Sequence, residues 1–294
     1  MGPVVASDAR GPIAARALIR VGQVARRDPQ LAVSVSMLVL VAAAILGAGF
    51  LTSASPYAQD VFHRLEPPSW VHPFGTDQLG RDVLARVLYG GRISVPAAVV
   101  VVLVGASVGT VLGMLAGYGD RTVDELVMRV TDVVLAFPVL VLAMAVSAAL
   151  GASLINGIIA LSAVWWPSYV RVCRGMILEL RERQFVVAAR AAGRSSLNVL
   201  SRVILPNVMP ALLVMAFVDV GRAILDFSIL SFLGLGIRPP APEWGSMVAS
   251  GVEVMDQWWV ATFPGLAILL VIFAFNLLGD SVRDALDPWV SGRR

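Results

Sequence analysis

Lysine is absent from this chain of 294 residues: all 23 of its Lys+Arg residues are Arg. A phosphate-gripping P-loop needs its Lys, a Schiff-base enzyme needs an amine, and a protein kinase needs a strand Lys. None of these can be built here. Histidine and cysteine are almost as scarce, at two and one. His63, His72 and Cys173 are too few for a zinc site of His and Cys ligands unless carboxylates or another subunit contribute. One Cys permits no intrachain disulfide. Charged residues make up only 15% of the chain, against about 25% in an ordinary soluble domain. Hydrophobic residues make up 57%, and the mean hydropathy is +0.80. A soluble globule and a disordered chain are both excluded.

The apolar residues arrive in long runs, the pattern of a multi-span membrane protein. Six runs are long enough to propose as spans: Leu31–Leu51, Ile93–Gly119, Val133–Leu150, Ile155–Val170, Val208–Gly236 and Val260–Gly279. The first is followed by Ser53-Ala54-Ser55, as a cleaved signal would be. Its 21 residues exceed the ~7–15 of a signal h-region, so it is expected to stay as an anchor.

Arginine placement sets the expected orientation. With the N-terminus in the cytoplasm, seventeen Arg fall inside: five before Leu31, then Arg121, Arg129, seven between 171 and 202, Arg283, Arg293 and Arg294. Five fall outside, namely Arg64, Arg81, Arg86, Arg92 and Arg238, and Arg222 lies within a span. The positive-inside rule then puts both termini in the cytoplasm. The same bias accounts for the net charge of +3 and the pI of about 9.6 without nucleic acid. Two loops are large: Thr52–Arg92, external and rich in Pro and turn residues, and Arg171–Pro206, cytoplasmic, Arg-rich and helix-forming. Trp258 and Trp259 stand where the last span re-enters the bilayer, as interface anchors do.

Gly105-Ala106-Ser107-Val108-Gly109 matches the letters of the G-x-S-x-G nucleophile elbow, which needs a strand-turn-helix context and Asp and His partners. It lies mid-span with no His nearby. Gly105, Gly109, Gly113 and Gly117 instead recur every four residues, a small-residue face suited to close helix packing. Asp219, Arg222 and Asp226 share one face of the fifth span. Charge at that depth normally faces a bundle interior, a partner or water. Two readings remain open: a self-neutralising internal triad, or a lining of a translocation path. Pro138 and Pro167 mark kinks or hinges. His63 and His72 are expected to be solvated loop residues.

The cytoplasmic stretch Arg183–Gly193 carries Phe185, Ala188, Ala189 and Ala192 at i, i+3, i+4 and i+7. Gly193 suits the residue just past a helix end. Ser195 or Ser196 can cap the next short helix, and Pro206 is expected to end that helix before the fifth span. A displayed short helix with an Ala-lined face fits a groove on another protein. The alternative is that it lies on its own subunit.

Ala188-Ala189 followed by Gly193 and Ile204-Leu205-Pro206 resembles the cytoplasmic signature of ABC-importer permeases. The segment from His72 to Asp82 (His-Pro-Phe-Gly-Thr-Asp-Gln-Leu-Gly-Arg-Asp) narrows this to the dipeptide/oligopeptide/nickel permeases and their C-type subunit. So do Ser231–Gly236, Pro242-Glu243-Trp244-Gly245, Asn276–Asp280 and Asp287-Pro288. The resemblance covers about His72 to Pro288. It implies an all-α polytopic membrane protein with six transmembrane helices and the type I importer permease fold. Residues 1–70 would hold the tail, the first transmembrane helix and the start of the external loop. Residues 71–294 would form the permease domain, with a coupling loop at about 171–206.

The resemblance further implies a plasma (inner) membrane assembly with a second related permease, two cytoplasmic ATPases and an extracytoplasmic substrate-binding protein that delivers peptide. Phe185, Val187, Ala188, Ala189, Arg190, Gly193, Leu205 and Pro206 would couple the chain to the ATPases. ATP and Mg would be bound by those partners, with no cofactor, metal or catalytic residue on this chain. Val187 stands where the family often has Glu, so docking is expected to rest more on packing than on an ion pair. Arg222 is not expected from the family, whereas Asp226 resembles an acidic position there. Alternatives are a same-family importer of nickel or another small solute, and an ion-coupled secondary transporter using Asp219 and Asp226. A membrane-embedded hydrolase lacks an assembled nucleophile and base.

Overall fold

The computed structural model describes residues 29–286. The Arg residues before Leu31, the Asp287-Pro288 pair and Arg293 and Arg294 lie outside them. Apart from an isolated bridge between Thr76 and Asp82, regular structure among the described residues is helical. Helix α1 is Pro29–Leu46, followed by the short α2, Ala48–Leu51. A 3-10 turn at Val61–His63 interrupts the long connection to α3, Val83–Tyr118. Next come α4 (Arg121–Leu135), α5 (Val139–Leu150) and α6 (Leu154–Leu180). Helices α7 (Gln184–Ala191) and α8 (Ser196–Val199) precede α9 (Leu205–Phe232). Helices α10 (Trp244–Val252) and α11 (Trp259–Leu286) complete the fold.

Four described helices are long and apolar enough to cross a membrane: α1, α3, the stretch Ser196–Phe232 and α11. A fifth is added if α4 and α5 form one span bent by 88°. The run Val133–Leu150 is therefore not the single helix expected. The chain turns at Ala136–Pro138 because Pro138 lacks an N–H and disfavours helical geometry in Phe137. Helix α5 alone has 12 residues, about 18 Å at 1.5 Å per residue, which falls short of ~30 Å of hydrocarbon. Helix α6 extends ten residues beyond the expected end at Val170. Its Trp165, Trp166, Ser168, Tyr169, Arg171 and Arg174 keep it below the apolarity of the others. Of these, Trp165 and Tyr169 are buried by neighbouring helices, whereas Ser168 and Arg171 are exposed.

Helix α3 begins at Val83, ten residues before the expected Ile93. Asp82 explains the early start: its carboxylate accepts from Ala85 N at 2.7 Å and caps the helix. With 36 residues, α3 is about 54 Å long and forms the spine of the bundle. Along it α6 packs through the glycine face. A Cβ added at Gly105, Gly109, Gly113 or Gly117 would lie 3.1, 2.4, 2.7 or 2.9 Å from the nearest α6 atom. Helix α9 packs on α3 and α11, and α1 packs on α11 and α3.

Two hydrophobic clusters result. The larger joins Val101, Val102, Leu161, Ile224, Phe227, Leu230 and Trp244. The smaller joins Tyr169, Cys173, Ile177, Val186, Val199, Ile204, Val208 and Leu212.

Pro206 does not end the short helix before α9. The chain continues from α8 through a π-turn at Leu200–Ile204, where Leu205 N donates to Leu200 O, directly into α9. Pro206 falls in the first turn of α9, where a missing N–H costs little. Ser195 occupies the cap position of α8, but neither it nor Ser196 supplies a side-chain cap bond there. Trp258 is 56% exposed, whereas Trp259 is buried and its Nε1 donates to Thr76 O at 3.1 Å. Only Trp258 is free to act as an interface anchor.

Candidate functional site

Two regions at different levels of the bundle carry the chemistry singled out in the sequence. The first is built around α7. Val186 is fully buried in the smaller cluster, between α6 and α9, while Phe185 is 46% and Val187 52% exposed. Ala188 and Ala192 are exposed, and Ala189 is half-buried against that cluster. The displayed face is thus Phe185, Ala188 and Ala192, with Ala189 turned partly inward. Arg190 lies over the ring of Tyr118 at 5.2 Å, tying α7 to the end of α3. Gly193 closes the helix at φ +77, with Gly193 N donating to Arg190 O at 2.9 Å and Arg194 N to Ala189 O at 3.4 Å. Such a left-handed residue is the reason glycine is needed there. Leu205 and Pro206 lie in the first turn of α9.

The second region lies mid-bundle on α9. Asp219 Oδ2 accepts from Tyr169 OH at 2.7 Å. Arg222 sits over the ring of Trp165 at 5.9 Å and makes no ion pair among the described residues. Asp226 is 6% exposed, and its Oδ2 has no hydrogen-bond partner among the described residues. The three residues share a face, but the direct ion pairs of a self-neutralised triad are not formed. Asp219 and Arg222 line a cavity of about 70 Å³ with Val139, Val164, Trp165, Ser168 and Met215.

Tyr169 joins the two regions. It belongs to the buried cluster that holds Val186, and its hydroxyl holds Asp219.

Sequence reasoning gave no role to a third feature, at the opposite end of α3 from α7. Glu243 is fully buried and accepts from Gly245 N and Ser246 N, each at 2.8 Å, and from Ser94 Oγ at 3.2 Å. Burial pushes its carboxyl up from the usual range, and these donors hold the rise in check. Trp244 Nε1 donates to Val87 O at 2.8 Å, so Pro242–Gly245 locks α10 onto α3. Nearby, Asp77 Oδ2 pairs with Arg81 Nε at 2.7 Å and with Arg86 Nε at 3.5 Å. His72 Nδ1 lies 2.9 Å from Asp82 Oδ2 and is not a free loop residue. His63 pairs with Asp60 at 2.8 Å. The i,i+4 spacing of Asp77 and Arg81 was visible in sequence, but their convergence with Arg86 needed the loop to fold back.

No group of three His, Cys, Asp or Glu that could hold a metal ion occurs among the described residues.

Residues 109–292 match the family described as binding-protein-dependent transport system inner membrane component. The chain belongs to that family. Within it, the chain is 43% identical over 268 residues to the probable D,D-dipeptide transport system permease protein DdpC of Escherichia coli (strain K12), covering 91% of this chain and 90% of that one. It is 44% identical over 231 residues to the di/tripeptide transport system permease protein DppC of Pseudomonas aeruginosa (strain UCBPP-PA14), covering 76% of each. It is also 44% identical over 226 residues to the glutathione transport system permease protein GsiD of Escherichia coli O6:K15:H31, covering 76% of this chain and 75% of that one.

Proposed function

We propose that this chain is a permease subunit of an ATP-binding-cassette importer and that, with a second related permease, it forms the pathway for uptake of dipeptides or oligopeptides. The observation that carries this reading is similarity over 91% of the chain to a D,D-dipeptide permease. Helix α7 supplies the physical counterpart: an exposed apolar face fixed to α6 and α9 by one buried side chain, Val186. In this reading one of two separate ATPases grips Phe185, Ala188 and Ala192 from the cytoplasm. Their closure on ATP drives α7, and the smaller cluster passes the movement to Tyr169 and Asp219. ATP and Mg belong to those partners, and a binding protein delivers the peptide from outside. The chain spans the plasma (inner) membrane six times with both termini cytoplasmic, a reading that rests on the Arg distribution and the family.

The test is reconstitution of the chain with its second permease, ATPases and binding protein in vesicles, using radiolabelled Ala-Ala. ATP-dependent accumulation is the expected result. Accumulation driven by an ion gradient without the ATPases would replace this reading with a secondary carrier.

A further inference from the structure

Helix α4 starts at a cap, Asp120 Oδ1 accepting from Val123 N at 2.9 Å, and ends where the chain bends by 88° into α5. Helix α5 runs along α6. Val139, at its start, lines a cavity with Val164 and Ser168, and Leu150 O, at its end, accepts from Asn156 Nδ2 at 2.9 Å. Lying at 88° to α5, α4 must cross α6 rather than follow it. Its ion pairs agree. Asp124 holds Arg174 at 2.5 and 2.7 Å, and Asp132 holds Arg171 at 2.7 Å. A step from 124 to 132 on α4 thus meets only a step from 174 to 171 on α6. At 1.5 Å per residue, Arg171 and Arg174 lie about 26 and 30 Å along α6 from its external end at Leu154. That is the depth of the far boundary of ~30 Å of hydrocarbon.

The faces of α4 suit such a position. Leu126, Val130 and Val133 fall on one face, at i, i+4 and i+7, and are 65%, 49% and 63% exposed. Arg121, Glu125, Arg129 and Asp132 form a second exposed stripe beside it, while Thr131, across the helix from the apolar face, is buried. The divide between the apolar and charged stripes runs along the helix axis. An axis in the membrane plane lays that divide along the interface between hydrocarbon and headgroups, whereas a helix crossing the bilayer would carry its charged stripe through the hydrocarbon. We propose that α4 is an in-plane lipid-binding helix. Leu126, Val130 and Val133 sit among the acyl chains of the cytoplasmic leaflet, and Arg121, Glu125, Arg129 and Asp132 lie at the headgroups. This rests on the membrane orientation proposed above and deepens it. The third crossing is then made by α5, with up to about 10 Å added by Ala136–Pro138, and α4 takes no part in it.

The test uses the full complex, purified with all its subunits, in vesicles of phosphatidylethanolamine and phosphatidylglycerol. Nitroxide labels are placed singly through Leu126→Cys, Val130→Cys, Val133→Cys and Arg129→Cys; Cys173 is buried, and the unsubstituted complex supplies the blank. Relaxation by oxygen, which partitions into hydrocarbon, and by a nickel chelate, which stays in water, gives the depth of each label. Positions 126, 130 and 133 should collide with oxygen and exclude nickel, at depths that agree within about 3 Å, the rise of two residues. Position 129 should show the reverse preference. A depth that increases by about 10 Å from 126 to 133, the rise of a spanning helix, would overturn the proposal. So would shielding of all three apolar positions from oxygen, which would assign the face to the second permease, or their free access to nickel. Orientation is read separately, with an impermeant thiol reagent on cells carrying Arg129→Cys. Labelling is expected only after permeabilisation. Labelling of intact cells would reverse the orientation and overturn the cytoplasmic placement, a result separate from a stepwise depth.

Discussion

Replacing Gly109 by Ala should open the tightest seam in the bundle. A Cβ there would stand 2.4 Å from Trp166 O and 2.5 Å from Tyr169 Cβ, where ordinary contact begins at 3.4 Å. The first obstacle is backbone and cannot swing aside, so α3 and α6 must part by about 1 Å, enough to forfeit a quarter to a half of each dispersion well along the contact. Overpacking of this kind costs ~1–3 kcal/mol, and the better helix propensity of Ala returns up to about 1 kcal/mol. A net loss of ~1–2 kcal/mol lowers the melting temperature by about 2–8 °C at ~2–4 °C per kcal/mol. The chain carries its own reporter. Cys173 is the sole cysteine, fully buried, and its Sγ would lie 3.1 Å from a Cβ on Gly113 of the same seam. A dye that fluoresces on reaction with a thiol, followed during a temperature ramp in detergent, therefore reads the opening of this seam. Gly175→Ala is the control, because a Cβ there meets nothing within 4 Å. If Gly109→Ala melts together with wild type and Gly175→Ala, the glycine face is not what holds α3 to α6.

At the coupling helix, Ala188→Asp places a charge on the displayed face without disturbing Val186, and should release the ATPases or uncouple hydrolysis from uptake, as copurification and vesicle uptake would read. Since Val187 offers no charge, high salt should release the ATPases only weakly; ready release by salt would contradict a packed contact. Glu243→Gln puts an amide NH₂ where a carboxylate oxygen accepts from Ser246 N or Gly245 N, and should cost ~1–3 kcal/mol, seen as a lower melting temperature in the same dye assay. His63 titrates above its ordinary 6.5, chiefly through its hydrogen bond to Asp60. Its clip on the Val61–His63 turn is thus in force below about pH 6.5 and is lost as pH rises through the folded value. Histidine NMR, simple with two His, should show the midpoint fall in Asp60→Asn; an unmoved midpoint would refute the pairing.

The sequence by itself determined the features set by local composition. Long, predominantly apolar runs fix membrane helices whatever they pack against, so four of the six proposed runs recur as qualifying helices near their expected places. Gly193 was legible because a left-handed turn at a helix end excludes most other residues. The four-residue glycine period was legible because it is a property of one helix. Tertiary structure decided what depends on residues distant in the chain. The Tyr169–Asp219 bond spans 50 positions and the Ser94–Glu243 bond 149, so no local pattern announces either. It turned Ala189 inward and left Ala188 outward, because Val186 is drawn into the buried cluster with Tyr169, Cys173, Ile177 and Val208. It buried Trp259 beneath Thr76 while leaving its neighbour Trp258 exposed. It also divided the fifth span's charges into one acid held by a tyrosine, one cation with no ion pair among the described residues and one acid with an oxygen unpartnered among them. Periodicity puts side chains on a common face, but only the neighbouring helices determine which of them find partners.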